Sequence, residues 1–187
     1  RFEHEDLRAK LLPGYDFVLD DLNSGDGQAG RDADASDPGD YLSTADLGNL
    51  TLRAMCGNTS TTHSSSWHGT HVTGTIAALT NNSIGVAGIA YGAKVVPIRV
   101  LGKCGGTTSD IADAIAWAAG GTITGVPQNT NPAKIISMSL GGRSPCSLTY
   151  RTAIATAQSL GALVVVAAGN DRSGAAGYAP ANCPGVL

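Results

Sequence analysis

Ala133–Leu140 (AKIISMSL), Tyr150–Leu160 (YRTAIATAQSL) and Ala162–Ala168 (ALVVVAA) decide how this chain folds. The first and third are short apolar runs rich in β-branched residues, and they read as buried strands. The segment between them carries a helical pattern. Lys94–Leu101 (KVVPIRVL) is another strand of the same kind. Two further helical patterns lie at Thr70–Leu79 and at Asp110–Ala119, where Ile111 and Ile115 are four apart and Ser109 is placed to cap. Strands alternating with helices, each strand apolar almost throughout, predict an α/β fold with a parallel sheet covered on both faces. In such folds functional groups gather at the carboxyl ends of the strands.

The rest of the composition agrees with one globular domain. The chain has 187 residues, 42% of them apolar and 14% charged, with 25 glycines. The formal net charge of −3 argues against a nucleic-acid or anionic-membrane partner, which would want a basic face. No apolar run reaches the 18 residues that would mark a membrane span. Cys56, Cys104, Cys146 and Cys183 lie far apart, without a metal-binding pair spacing. Two disulfides in any of three connectivities fit them and point to an oxidising compartment; buried free thiols are the other reading. From Asp20 to Asp46 the sequence is acidic, glycine-rich and without apolar periodicity, which predicts a solvated surface loop. Its aspartates offer oxygens to a calcium ion, but their spacing does not fit the D-x-[DN]-x-[DN]-G loop. Arg1 and Leu187 read as cut ends, the second inside a strand.

Three segments carry chemistry. Trp67-His68-Gly69-Thr70-His71-Val72-Thr73-Gly74 places a histidine at a helix start, between glycines that let another chain come close. On these residues alone the motif stays open between a structural histidine, a zinc-binding pair and a catalytic base, although no H-E-x-x-H pattern is present. Val164–Asn170 runs from a buried strand through Ala168 and Gly169 to an asparagine whose amide can donate to a developing oxyanion, or can simply cap a turn. Ile136–Gly142 ends a strand in Leu-Gly-Gly, where backbone groups lie open to an added peptide strand; Leu101–Gly106 offers the same.

Together HGTHVTGTIAAL, NNSIGVAGIA, VVPIRVL, SMSLGG and VVVAAGN resemble the motifs of the subtilisin family of serine proteases, in that family's order, over His4–Leu187. The resemblance implies a subtilisin-like three-layer fold with a mostly parallel central sheet, incomplete at both ends, so that residues 1–187 are part of a single catalytic domain. The implied activity is a serine endopeptidase using an Asp-His-Ser triad. His68 corresponds to the general base, and Asn170 to the oxyanion donor. His71 is assigned to packing within the helix. Ser139, Leu140 and Gly141 correspond to one wall of the substrate cleft, Gly105 and Gly106 to the other, and Ala168 and Gly169 to the side-chain pocket. His4-Glu5-Asp6-Leu7 matches the segment that follows the catalytic aspartate, so that residue is expected a few positions before Arg1. No Gly-Thr-Ser-x-Ala segment is present for the serine, and 1–187 alone is expected to be inactive.

The same resemblance implies a structural calcium ion held by Asp6, Asn82 and the carbonyls of Thr80, Ile84 and Val86, with Leu79 competing with Thr80. It also implies the pairs Cys56–Cys104 and Cys146–Cys183. A secreted, extracellular monomer acting on proteins or peptides follows, with an inhibitory prodomain outside this chain. Two other functions compete: an inactive peptide-binding relative, and a nucleotide-binding α/β protein. The first has no use for an oxyanion donor, and the second lacks both glycine-rich phosphate motifs.

Overall fold

The computed structural model describes all residues, Arg1–Leu187, and the chain divides into two compact units, Arg1–Thr107 and Thr108–Leu187.

The second unit is built as its periodicity predicts. Helix α5 (Thr108–Ala118) and helix α6 (Leu148–Ser159) pack on each other, and strands β3 (Ile135–Met138) and β5 (Leu163–Val166) pair in parallel, Ile135 opposite Leu163 and Met138 opposite Val166. Ser147 caps α6 through its side chain to the Tyr150 N–H at 3.2 Å. Helix α5 starts two residues earlier than expected, so Ser109 lies in its first turn and not at its cap. Ile111, Ile115, Ile136, Met138, Ile154 and Val164 form the core. The other sheet face differs from the expectation of cover on both sides: Ile135 is 65% and Leu163 44% exposed. Burial alternates along β3, because α5 and α6 supply one apolar layer only. A short antiparallel pair, β4 (Gly142–Arg143) with β6 (Tyr178–Ala179), completes the unit, and Cys146 is bridged to Cys183.

The first unit has shorter elements. Strand β1 (Tyr15–Asp16) pairs in parallel with β2 (Ile98–Arg99), a much shorter ladder than Lys94–Leu101 suggests. Phe17, Val18, Leu7, Leu42 and Leu52 are buried around it. The segment expected to be a solvated loop contains α1 (Asp21–Ser24) and α2 (Thr44–Gly48), followed by α3 (Leu50–Met55). Its aspartates satisfy local backbone: Asp20 caps α1 through the Asn23 N–H at 2.9 Å, and Asp32, Asp34 and Asp37 each accept from the N–H two residues on. Asp26 and Asp46 are only partly exposed, being paired with Arg99 at 2.9 Å and Lys103 at 2.7 Å. Cys56, at the end of α3, is bridged to Cys104 with Cα atoms 4.6 Å apart.

Candidate active site

Helix α4 (His68–Ala77) begins abruptly. Trp67 before it is in the left-handed region at φ 50°, and no side chain caps the helix. The entry is braced from behind instead. Asp40 accepts from the Ser66 N–H at 2.6 Å and its hydroxyl at 2.7 Å, and the Ser66 Oγ accepts from the His68 N–H at 3.3 Å. Burial raises the Asp40 carboxyl, but the two Ser66 bonds outweigh it and hold its pKa below the ordinary carboxylate value. His68 is thus presented, exposed, at the first position of the helix. Gly69 and Gly74 have open space where a side chain would stand, which leaves room for another chain. His71 is exposed, contrary to its expected packing role, since Ala77 is the only buried residue of α4. No group of three metal-ligating side chains surrounds either histidine.

Past Ala78 the chain leaves the helix and returns to it. Ile89 and Ala90 donate to the carbonyls of Thr75 and Ile76 at 3.0 and 2.8 Å, so residues 79–88 are an interruption in one hydrogen-bond ladder. A side chain at Gly88 would collide with the backbone of Ala77 and Ala78, so only glycine permits the return. The interrupting loop wraps Asp6, which is 2% exposed. The Asp6 carboxylate accepts from Asn82 Nδ2 at 2.7 Å and from the Val86 N–H at 3.2 Å, and its own carbonyl accepts from Leu79. The carbonyls of Thr80, Ile84 and Val86 take no backbone hydrogen bond. The Asn82 Oδ1 accepts from the Ile84 N–H at 3.3 Å. A buried carboxylate without a cationic partner and three carbonyls free of backbone hydrogen bonds are oxygen ligands of the kind calcium takes, with the Asn82 oxygen beside them.

In the other unit the parallel register brings the two expected strand-end segments together. The Ala167 N–H donates to the Met138 carbonyl at 3.0 Å, one step beyond the β5 ladder. Ser139-Leu140-Gly141 and Ala168-Gly169-Asn170 therefore leave adjacent strands side by side. Gly169, at φ 96°, makes the turn that exposes Asn170. No hydrogen bond engages the Asn170 amide, so it is not the turn cap that a structural role would require. The ring of Tyr178 lies 3.9 Å from where a Gly169 side chain would begin, a neighbour that no sequence pattern announced. The other expected wall is different. Gly105, at φ 89°, closes a turn with Gly102 through mutual N–H to carbonyl bonds of 2.9 and 3.2 Å. Its backbone groups are already in use, and exposed Gly106 is the first free position.

A model of the Subtilase family matches residues 3–187. The chain belongs to the subtilase family. An extracellular protease of Xanthomonas campestris pv. campestris is 56% identical over 184 residues, covering 98% of this chain and 30% of the relative. An extracellular basic protease of Dichelobacter nodosus is 49% identical, covering 99% and 30%. A solved protease of Pseudoalteromonas arctica superimposes with a TM-score of 0.90 at 55% identity, covering all of this chain and 52% of that one. This subtilase chain thus spans about a third of those curated relatives and about half of the solved one. Its α/β fold is subtilisin-like.

Proposed function

We propose that this subtilase chain is part of the single catalytic domain of a secreted, monomeric serine endopeptidase that cleaves proteins and peptides. The observation that carries the reading is that Ser139–Gly141 and Ala168–Asn170 leave the neighbouring ends of two paired strands, with the Asn170 amide unengaged. A peptide laid along Ser139–Gly141 as an added strand would bring its scissile carbonyl towards Asn170 Nδ2, which donates to the oxyanion as it forms. His68 takes the proton from the attacking serine hydroxyl and returns it to the leaving amine. The serine, the aspartate that orients His68, and an inhibitory prodomain belong to the rest of the protein. The extracellular names of the relatives and the two disulfides support secretion.

In the full-length protein, His68→Ala is expected to lower kcat by about 10⁴-fold or more while leaving the fold intact, a scale set by triad removal in subtilisin itself. Turnover near wild type overturns the assignment.

Asp6, Asn82 and the carbonyls of Thr80, Ile84 and Val86 would hold a calcium ion, which stabilises the loop and takes no part in the reaction. Chelation is expected to shorten the thermal half-life, and Asp6→Ala to remove that sensitivity. A half-life indifferent to chelator overturns the site.

A further inference from the structure

The turn that precedes Gly106 is gripped by one side chain from outside. Asn23, on α1, donates from Nδ2 to the Gly105 carbonyl at 2.9 Å and accepts at Oδ1 from the Cys104 N–H at 2.7 Å. Its own carbonyl accepts from the Lys103 N–H at 2.8 Å. Three successive residues of the turn are therefore bonded to one asparagine, which is 6% exposed. The fit is close enough that any side chain at Gly102 would collide with the Asn23 carbonyl. An amide suits the task because it offers one donor and one acceptor in a fixed plane, as a neighbouring peptide unit would.

Asn23 is itself held. Asp20 caps its N–H at 2.9 Å, and Arg99 on β2 donates from Nη1 to the Ser24 hydroxyl and from Nη2 to the Ser24 carbonyl, both at 2.6 Å. The strand that leads into the turn thus also fixes the helix that clamps it. With the Gly105 carbonyl accepting from both Gly102 and Asn23, the place where the free backbone edge begins is set at Gly106.

We infer that Asn23 is the positioning residue for the Gly106 edge, holding the 102–105 turn so that this edge can pair with the backbone of an extended peptide. The inference rests on the peptidase reading above. It concerns pairing with the backbone of an extended substrate, so it is separable from the chemistry.

The test compares two substrates of the full-length enzyme: a tetrapeptide anilide, which offers an extended backbone to pair with the Gly106 edge, and a single-residue ester, which offers none. For Asn23→Ala, kcat/KM on the tetrapeptide is expected to fall about tenfold or more, chiefly through KM, and several-fold further than on the ester. Active-site titration corrects both values for misfolded enzyme. Equal losses on the two substrates, or no loss on the tetrapeptide, overturn the inference. Should Asn23→Ala not fold, the isosteric Asn23→Asp, which keeps the acceptor for Cys104 and loses the donor to Gly105, is judged by the same criterion. A wild-type enzyme that cleaves neither substrate overturns the peptidase reading, and the inference with it.

Discussion

Thr108–Leu187 is held by Ile111, Ile115, Ile154 and Val164 packed between two helices and one sheet face, with Asp110 and Asn129 its buried polar residues. Arg1–Thr107 buries Asp6, Asp16, Asn23, Ser24 and Arg99 beneath short elements. Its residues are tied by specific polar contacts: Arg99 to Asp16 at 2.5 Å and Asp26 at 2.9 Å, Lys103 to Asp46 at 2.7 Å, Asn23 to the 102–105 turn, and the Cys56–Cys104 bridge. Apolar packing tolerates small changes of shape and ignores pH. A buried ionic cluster depends on every member being present and correctly charged. The first unit should therefore respond sharply to single charge removals, and the second to cavities.

The largest effect is expected from Arg99→Ala. It removes the cation facing Asp16 and Asp26, and strands both carboxylates, for a loss of about 3–5 kcal/mol. Amide hydrogen exchange should show that loss in β1 and β2. A loss below about 1 kcal/mol would mean that water or a neighbouring group replaces the guanidinium, and the contrast between the units would weaken. Ile154→Ala, at 0% exposure in the second unit, is expected to cost about 2–4 kcal/mol through its cavity. That cost should be the same at pH 5 and pH 8. Strong pH dependence of the Ile154→Ala effect would break the comparison from the other side.

The contrast also explains what could be read in advance. Helices α5 and α6 and strands β3 and β5 are legible because apolar periodicity is a local signal, and the parallel register of the two strands carries Ser139–Gly141 to the side of Ala168–Asn170. Asp6 and the 79–86 loop are likewise legible as one group through the family motif. The clamp by Asn23 is not, because a short polar segment such as Asp20-Asp21-Leu22-Asn23-Ser24 carries no period, and its partner lies 82 residues away. Asp26 and Asp46 read as solvated for the same reason: the cations that pair with them come from β2 and the turn after it. Gly105 reads as cleft wall alongside its neighbour Gly106, yet only tertiary hydrogen bonding distinguishes a turn glycine from an edge glycine.

The smallest effect expected is a pH slope, and it tests the cluster without dismantling it. Burial pushes the Asp16 carboxyl up to about 6, overcoming the Val18 N–H and Arg99, which favour the charged form, while Asp26 beside it raises it further. Burial acts on Asp26 in the same direction, but the Ser24 hydroxyl and the Gln28 N–H, with Asp16 and Arg99 adding to them, hold it below the ordinary value. Because the folded pKa of Asp16 lies above its ordinary 3.8, folding favours the protonated form. That contribution is fully present below about pH 4 and is lost as pH rises through about 6. Asp46 has the opposite sign: burial raises it, but Lys103 and Ser43 outweigh that and lower it to about 2, so its contribution is present above pH 3.8 and fades as pH falls towards 2. Both contributions are near their full size together only around pH 4, and above it the Asp16 share declines while that of Asp46 holds. Thermal melts of wild type and Asp16→Asn at pH 5 and pH 8 isolate the first contribution, since asparagine cannot titrate. Wild type should gain on the variant as pH drops to 5. Parallel curves would mean that Arg99 keeps Asp16 charged throughout, and that the ionic cluster is as indifferent to pH as the apolar core of the other unit.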